Sequence, residues 1–382
     1  MPAGTSVLLI PLAELLPERA PPMTASTATT FDAKPPESDR HRKRRLLHEE
    51  RKLNGKQGIA GWLFVSPALL GLLIFLVIPI VVALYISFTN WNGASNPLSG
   101  SAKWIGLDNY RKLLTTDSLT RTNFFRSVRN NFYFVLFVVP AQTILALLLA
   151  VLVHQKALKA RSFYRTAFYF PSVTSSIAIT LVFIFLFQGT GAVNKLLDVV
   201  GVKGPNWLQD QRGLFHQLLR IVGVDSSPGW GKHTIMGLHV WDWLAGPSTS
   251  MCVIIILAVW TTSGTFMLMF LAALQNIPED VMEASMIDGA SPRQGFWKVT
   301  VPMLRPTISL VVMLGTIGTW QVFDQILLAG KTNPTMSTPA YLTYQLSFQN
   351  SAFGTGAAMA FLLFMLIIVL TVIQRRFLKE NV

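Results

Sequence analysis

Residues 277–306 read IPEDVMEASMIDGASPRQGFWKVTVPMLRP, a polar island between two long apolar runs. Pro278, Glu279 and Asp280 open a helix: proline is pre-set for the first helical position, and two acids follow where the helix dipole favours negative charge. Val281, Met282, Ser285 and Met286 recur at helical spacing, so one face is apolar. Gly289 stands where a C-cap is expected, and Pro292 stops the same helix from running on. The stretch is read as a short, capped, exposed helix held against a membrane domain. Such a helix needs a partner for its face, and the flanking runs say what kind of protein carries it.

The chain has 382 residues, of which 51% are hydrophobic and only 13% charged. That is too apolar for an ordinary soluble domain and points to an integral membrane protein. Six runs are long enough, or nearly so, to cross a hydrocarbon core of about 30 Å: Ile59–Phe88, Phe132–Val153, Ala167–Phe187, Met251–Leu274, Thr307–Leu328 and Ala357–Ile373. Pro67, Pro79, Pro140 and Pro171 within them are tolerated kinks. Residues 1–57 are rich in Pro, Thr, Ser and charge and cannot bury a core, so they are read as a disordered tail. The basic run Arg40–Arg45 in that tail anchors the first helix on the cytoplasmic side. Ser6–Leu16 is too short, and too broken by Pro11, for a cleavable leader.

The formal charge of +13 argues less for nucleic acid than for membrane topology, because many cations cluster beside the apolar spans. With the N-terminus inside, the inner segments collect most of the 32 lysines and arginines, among them Lys156, Lys159, Arg161, Arg165, Arg293, Lys298, Arg305, Arg375 and Arg376. Both termini and the island at 275–306 are thereby expected in the cytoplasm. The first outer loop, 90–131, is itself basic, but long loops weigh little in this rule. It contains the amphipathic stretch Leu107–Leu114, read either as an interfacial helix or as a docking surface. The second outer loop, 189–250, is longer than a connector needs to be and carries Trp207, Trp230, Trp241 and Trp243, read as interfacial anchors.

No G-x-x-x-x-G-K-[ST] stretch is present to hold ATP phosphates, and the six histidines are scattered. Cys252 is the single cysteine, so no intrachain disulfide or multi-cysteine metal site can form. No catalytic constellation is visible. Inside the spans Asp324 is the exceptional ionisable residue. On a continuous fifth helix Gln321, Asp324 and Gln325 are spaced i, i+3, i+4 and share a face, with Trp320 and Phe323 flanking it. Groups at that depth must face protein or a water-filled path. They serve either as interhelical glue or as a passage for a polar, uncharged solute such as a sugar, with the aromatic rings stacking on it. An ion-coupled secondary transporter is the competing class, but a lone intramembrane acid supports it thinly.

The island also resembles the cytoplasmic EAA loop of binding-protein-dependent ABC importer permeases, E-A-A-x2-D-G-A-x5-F-x5-P-x3-P. Glu283-Ala284-Ser285, Asp288-Gly289-Ala290, Phe296, Pro302 and Pro306 fit without a gap, Ser285 replacing the second alanine. From about residue 58 onward the chain is similar to carbohydrate permeases of the maltose, trehalose and glycerol-phosphate type. The stretches Gly61–Ala68, Gly191–Asn194, Trp207-Leu208, Trp260 with Phe270–Gln275, and Trp320–Asp324 carry that likeness. The ending Gln374–Phe377 resembles the first of two paired permeases. Residues 209–246 depart from the pattern as an insertion, which puts the outer gate in question.

The resemblance implies an all-α, polytopic membrane protein of six transmembrane helices with the type I ABC importer permease fold over 58–382. It further implies a second homologous permease, two ATPase subunits, an extracellular solute-binding protein and a di- or oligosaccharide as partners. ATP and Mg²⁺ would be bound by the ATPases, leaving this chain without a cofactor and without catalysis. Coupling to the ATPases would fall to Glu279, Asp280, Glu283, Ala284, Ser285, Asp288, Gly289 and Ala290. The solute path would involve Trp260, Trp320, Gln321, Phe323, Asp324 and Gln325.

Overall fold

The computed structural model describes residue 58 and residues 60–97, 102–155, 158–224, 228–330 and 333–379. The basic tail, with its reading as a disordered anchor, lies outside the described residues. Two units are present, Met1–Leu72 and Leu73–Val382. Helix α1 runs Ala60–Ser87, with a wider π-turn over Leu73–Val77. That turn precedes Pro79, whose missing N–H breaks the regular ladder. Among the described residues five helices are long and apolar enough to cross a membrane, and a bent pair supplies a sixth span if counted as one.

The second span is helix α3, Leu119–His154, following the short helix α2, Asp108–Leu114. At about 1.5 Å per residue α3 is far longer than the hydrocarbon core. It starts at Leu119, well inside the segment read as outer loop 90–131. The Ser118 hydroxyl caps it by accepting from the Arg121 N–H. Helix α2 does not simply lie on a surface. Leu113 is buried, and the Asn109 amide donates to Ser87 O and Thr89 O at 2.9 and 2.8 Å while accepting from Thr355. It thereby pins the end of α1 to the start of the last helix.

The third run, read as one span over Ala167–Phe187, is two helices: α4, Arg161–Val173, and α5, Ser176–Leu186, bent by 94°. Ser172 at the bend donates to Thr261 O at 2.6 Å and accepts from Thr265 N–H, so the fourth span holds the corner in place. Helix α6, Ala192–Val199, and α7, Leu214–Ile221, lie in the segment 189–250 that the sequence reading placed outside. The fourth span is α8, Thr249–Gln275, capped by Ser248. The island helix α9, Glu279–Ile287, follows it. The fifth span is α10, Arg305–Trp320, interrupted before α11, Asp324–Ala329, and the sixth is α12, Phe353–Lys379.

Two apolar clusters fix how these rods run. Phe134 and Val138 of α3 meet Met251, Ile254 and Ala258 of α8, with Val322 and Ile326 beside them. Ala146, Ala150 and Val153 of α3 meet Met267, Phe270 and Leu274 of α8, with Leu304 and Val311. Early residues of α3 and α8 therefore share one cluster and late residues the other, so the two helices are parallel. Helix α10 runs antiparallel to both. In hydrocarbon such contacts act by close packing rather than by expelling water.

The insertion at 209–246 is built structure. It contains α7, a two-residue hairpin pairing Thr234–Ile235 with Leu238–His239, and a helical turn Val240–Trp243. Its tryptophans mostly pack within the protein. Trp241 stacks on His216 at 4.4 Å, and Trp243 borders a core cluster. Arg129 of α3 donates to Asp242 O at 2.8 Å, tying the insertion to the bundle. At its start, Arg212 donates twice to the Asp210 carboxylate, which holds that acid below its ordinary range.

Candidate functional site

Helix α9 is closed at its C-terminus by local chemistry. Pro278 is its N-cap rather than its first helical residue, so the helix starts one residue later than the sequence reading had it, and Glu279 and Asp280 fill the first turn. Gly289 sits at φ +78°, the left-handed conformation that only glycine adopts without cost. Gly289 N–H donates to Met286 O and Ala290 N–H to Ser285 O, both at 3.0 Å, so two end carbonyls are satisfied. A capping box then starts the next turn: Ser291 Oγ accepts from Gln294 N–H, Gln294 Oε1 accepts from Ser291 N–H, and Pro292 follows at the first position.

The apolar stripe of α9 divides in two. Met282 and Ser285 turn toward the following segment, where Met282 Sδ lies 3.8 Å from the Thr300 hydroxyl and both contact the space over Gly295. Met286 and Ile287 face outward, 65% and 87% exposed. Glu279, Asp280, Glu283, Ala284 and Asp288 are exposed as well, while Ala290 is half-buried. A cleft of about 380 Å³ separates Met282, Glu283 and Met286 from Val151, Leu274 and Phe296.

The second feature is a cavity of about 310 Å³ between the two apolar clusters, lined by α3, α8, α10 and the break after α10. The fifth span is not the continuous helix that the i, i+3, i+4 spacing assumed. It ends at Trp320 and resumes at Asp324. The exposed backbone is satisfied from afar: Asn131 Nδ2 donates to Trp320 O at 3.1 Å, and Thr338 Oγ1 to Val322 O at 3.0 Å. Irregular backbone at this depth is tolerable only when it is so covered or lines a cavity. Gln321, Phe323, Asp324 and Gln325 all line the cavity, brought together by the break rather than by a helical face. Phe323 is held edge-on by Tyr344 at 5.4 Å.

The two tryptophans are placed elsewhere. Trp320 is 2% exposed and does not line the cavity, and Trp260 lies against Phe183 at 5.6 Å, 44% exposed, also outside the lining. The sequence reading did not include Gln142 of α3, Thr262 of α8 and Gly315 of α10, which also line the cavity. Gln142 does carry a sequence signal, an uncharged amide within an apolar run. Among the described residues no group of His, Cys, Asp or Glu is arranged to hold a metal.

A family model for binding-protein-dependent transport system inner membrane components matches residues 119–380. The chain belongs to this family. The permease is 32% identical over 323 residues to the probable ABC transporter permease protein YesP of Bacillus subtilis (strain 168), covering 83% of this chain and 90% of that one. It is 29% identical over 321 residues to the probable starch degradation products transport system permease protein AmyD of Thermoanaerobacterium thermosulfurigenes, covering 84% and 94%. It is 29% identical over 324 residues to the lactose transport system permease protein LacF of Rhizobium radiobacter, covering 83% and 93%.

In fold the permease is similar to a chain of a bacterial ABC transporter involved in import of the acidic polysaccharide alginate. The TM-score is 0.62 at 19% identity, over 87% of this chain and 98% of that one. A second such structure, in complex with an alginate pentasaccharide-bound periplasmic protein, gives 0.63 at 20%, over 84% and 94%. The mostly helical architecture, with five apolar helices and a bent pair, is thus that of an ABC importer permease. Two of the stretches that carried the sequence resemblance also meet in space: Trp207 Nε1 donates to Asn194 Oδ1 at 2.6 Å.

Proposed function

We propose that this permease is one of a pair forming the membrane path of an ATP-driven importer, and that the solute is a neutral di- or oligosaccharide of the trehalose or maltose kind. An extracellular solute-binding protein delivers the sugar, and two ATPase subunits, which hold ATP and Mg²⁺, drive its passage. The observation that carries the reading is the cavity at the break of the fifth span. Amides and hydroxyls beside aromatic rings suit a sugar, and Asp324 disfavours an anion. The relatives AmyD and LacF, permeases for starch degradation products and for lactose, support sugars as the class. The alginate transporter's complex with a periplasmic protein supports delivery by a binding protein.

Helix α9 supplies the coupling. It is short, capped by glycine at its C-terminus, and presents Met286, Ile287 and acidic side chains outward, which fits a groove on an ATPase subunit on the cytoplasmic side. Closure of the ATPases then moves α9, and the motion reaches α10 through the capped, helical segment 288–304. The test is uptake of labelled sugar by the importer reconstituted with its partner subunits. Gln321→Ala and Asp324→Ala are each expected to reduce uptake several-fold, the order of a lost hydrogen bond, at unchanged complex yield. Wild-type uptake in both variants would reduce the polar lining to interhelical glue.

A further inference from the structure

One side chain in the cavity wall has a hydrogen-bonding set that does not close. Gln142 lies in the middle of α3 and has no exposed surface. One end of its carboxamide meets Thr262 Oγ1 at 2.6 Å. That hydroxyl lies 2.7 Å from Ala258 O as well and has a single proton for the two. The other end, Nε2, has no hydrogen-bond partner. It approaches Gly315 so closely that a Cβ there would come within 2.3 Å of it. Turning the amide over exchanges its nitrogen and oxygen but leaves the same end unpaired. A buried polar group without a partner bears its full desolvation cost, so a position like this is occupied for a reason.

We propose that Gln142 is a specificity-determining residue of the permease: the unpaired end of its carboxamide, covered by Gly315 in this structure, bonds a hydroxyl of the solute in the cavity once α10 shifts and uncovers it. This rests on the cavity being the solute path. A hydroxyl both donates and accepts, so it satisfies the amide in either orientation, whereas a carboxylate can only accept and an ammonium can only donate. The anchoring by Thr262 fixes the amide plane. The contact therefore selects for where a hydroxyl stands on the sugar, and not merely for polarity. A site built to bond a hydroxyl rejects analogues lacking it, because its own buried group is then left unpaired.

The experiment compares wild type with Gln142→Met, similar in length but without hydrogen bonds, in the full importer reconstituted in lipid vesicles with one solute-binding protein. The probe is whichever of labelled trehalose, maltose and lactose the wild type carries fastest, together with its monodeoxy analogues. The expected result is that Gln142→Met slows the parent sugar about tenfold, while one deoxy analogue is carried equally by both proteins. Gly315→Ala, which pushes the amide aside, should spare the same analogue. The binding protein's own preferences cancel in these ratios. Slowing of the parent and every analogue by one common factor, or a lower complex yield with an unchanged rate per complex, would overturn the proposal. If Gln321→Ala and Asp324→Ala also carry sugar at the wild-type rate, the cavity is not the path and the functional reading fails with it. If those two slow uptake while the Gln142→Met ratios stay flat, only the assignment of Gln142 falls.

Discussion

Replacing Gly289 by valine is expected to cut sugar uptake while the complex still assembles. Gly289 ends α9 at φ +78°, and nothing lies within 4 Å of the place a Cβ would take. The substitution therefore meets no clash within the chain, and its cost falls on the backbone. A left-handed conformation costs an ordinary L-residue about 1–2 kcal/mol, and a β-branched one is a genuine outlier there. Relief comes by unwinding the last turn of α9 or by swinging the capping box at Ser291 and Gln294. Either change loosens a helix whose proposed role depends on stiffness. A penalty of 1–2 kcal/mol corresponds to roughly a 5–30-fold change in a conformational equilibrium, and uptake should fall by that order. Gly289→Asn should be the mildest variant and Gly289→Ala intermediate, because asparagine tolerates the conformation best. The check is uptake and sugar-stimulated ATP hydrolysis on the same reconstituted samples. Normal uptake by the valine variant would remove α9 from the coupling route.

The second large effect is expected from Ile287→Asp. Ile287 is 87% exposed and Met286 65%, so neither contributes much to the permease's own core. If this face docks on an ATPase subunit, the aspartate becomes an unpaired charge buried at the interface. Such a charge costs several kcal/mol, and each 1.4 kcal/mol is a factor of ten in affinity. Association with the ATPase should weaken at least about 100-fold, while the permease alone stays folded. Met282→Asp behaves differently, since Met282 packs against Thr300 and Gly295 within the chain. It should lower the yield of the permease itself. The measurement is co-purification with the ATPase from detergent extracts, with the permease's elution profile as control. Recovery of the Ile287→Asp complex in wild-type yield would place the docking face elsewhere on α9.

Both effects concern an element that was legible in the residues, because its determinants are local. The acids of the first turn, the glycine at the C-terminus and the proline after it are read without tertiary knowledge. The span Met251–Leu274 was legible for the same reason and is Thr249–Gln275 in the structure. The beginning of α3 was not: its first turns, with Arg121, Arg126 and Arg129, are too polar to read as a span. The bend between α4 and α5 was also hidden, because Ser172 is held there by Thr261 and Thr265, far along the chain.

The break after Trp320 shows the limit most clearly. No proline marks it, Gly318, shortly before it, is tolerated in many continuous spans, and the groups that satisfy it, Asn131 and Thr338, lie outside the helix. Hydrophobic periodicity continues through it as if the helix were whole. The i, i+3, i+4 spacing of Gln321, Asp324 and Gln325 thus points to a helical face that the break removes, while Gln142, from another helix, shares their cavity without any local pattern to link them. Trp320 and Trp260 were drawn in by their neighbours in sequence and stand outside the cavity in space.

The interruption of the fifth span has a mechanical meaning. Helix α10 begins at Arg305, shortly after the α9 segment, and ends at Trp320, beside the cavity. It is a strut of 16 residues, roughly 24 Å long at 1.5 Å per residue. If the strut were continuous with α11, any swing at its foot would have to drag the packing around Ile326 with it. Because it stops at the cavity, a sweep of its tip would have to release the buried Trp320 and its bond to Asn131, but not the packing of the segment beyond. A tilt of about 10° over about 24 Å would carry the tip about 4 Å, between the helix shifts of about 1–2 Å and the one-turn ratchets of about 5.4 Å of switching proteins. That displacement is comparable to the width of a water molecule plus a hydrogen bond, enough to open or close one wall of a chamber this size.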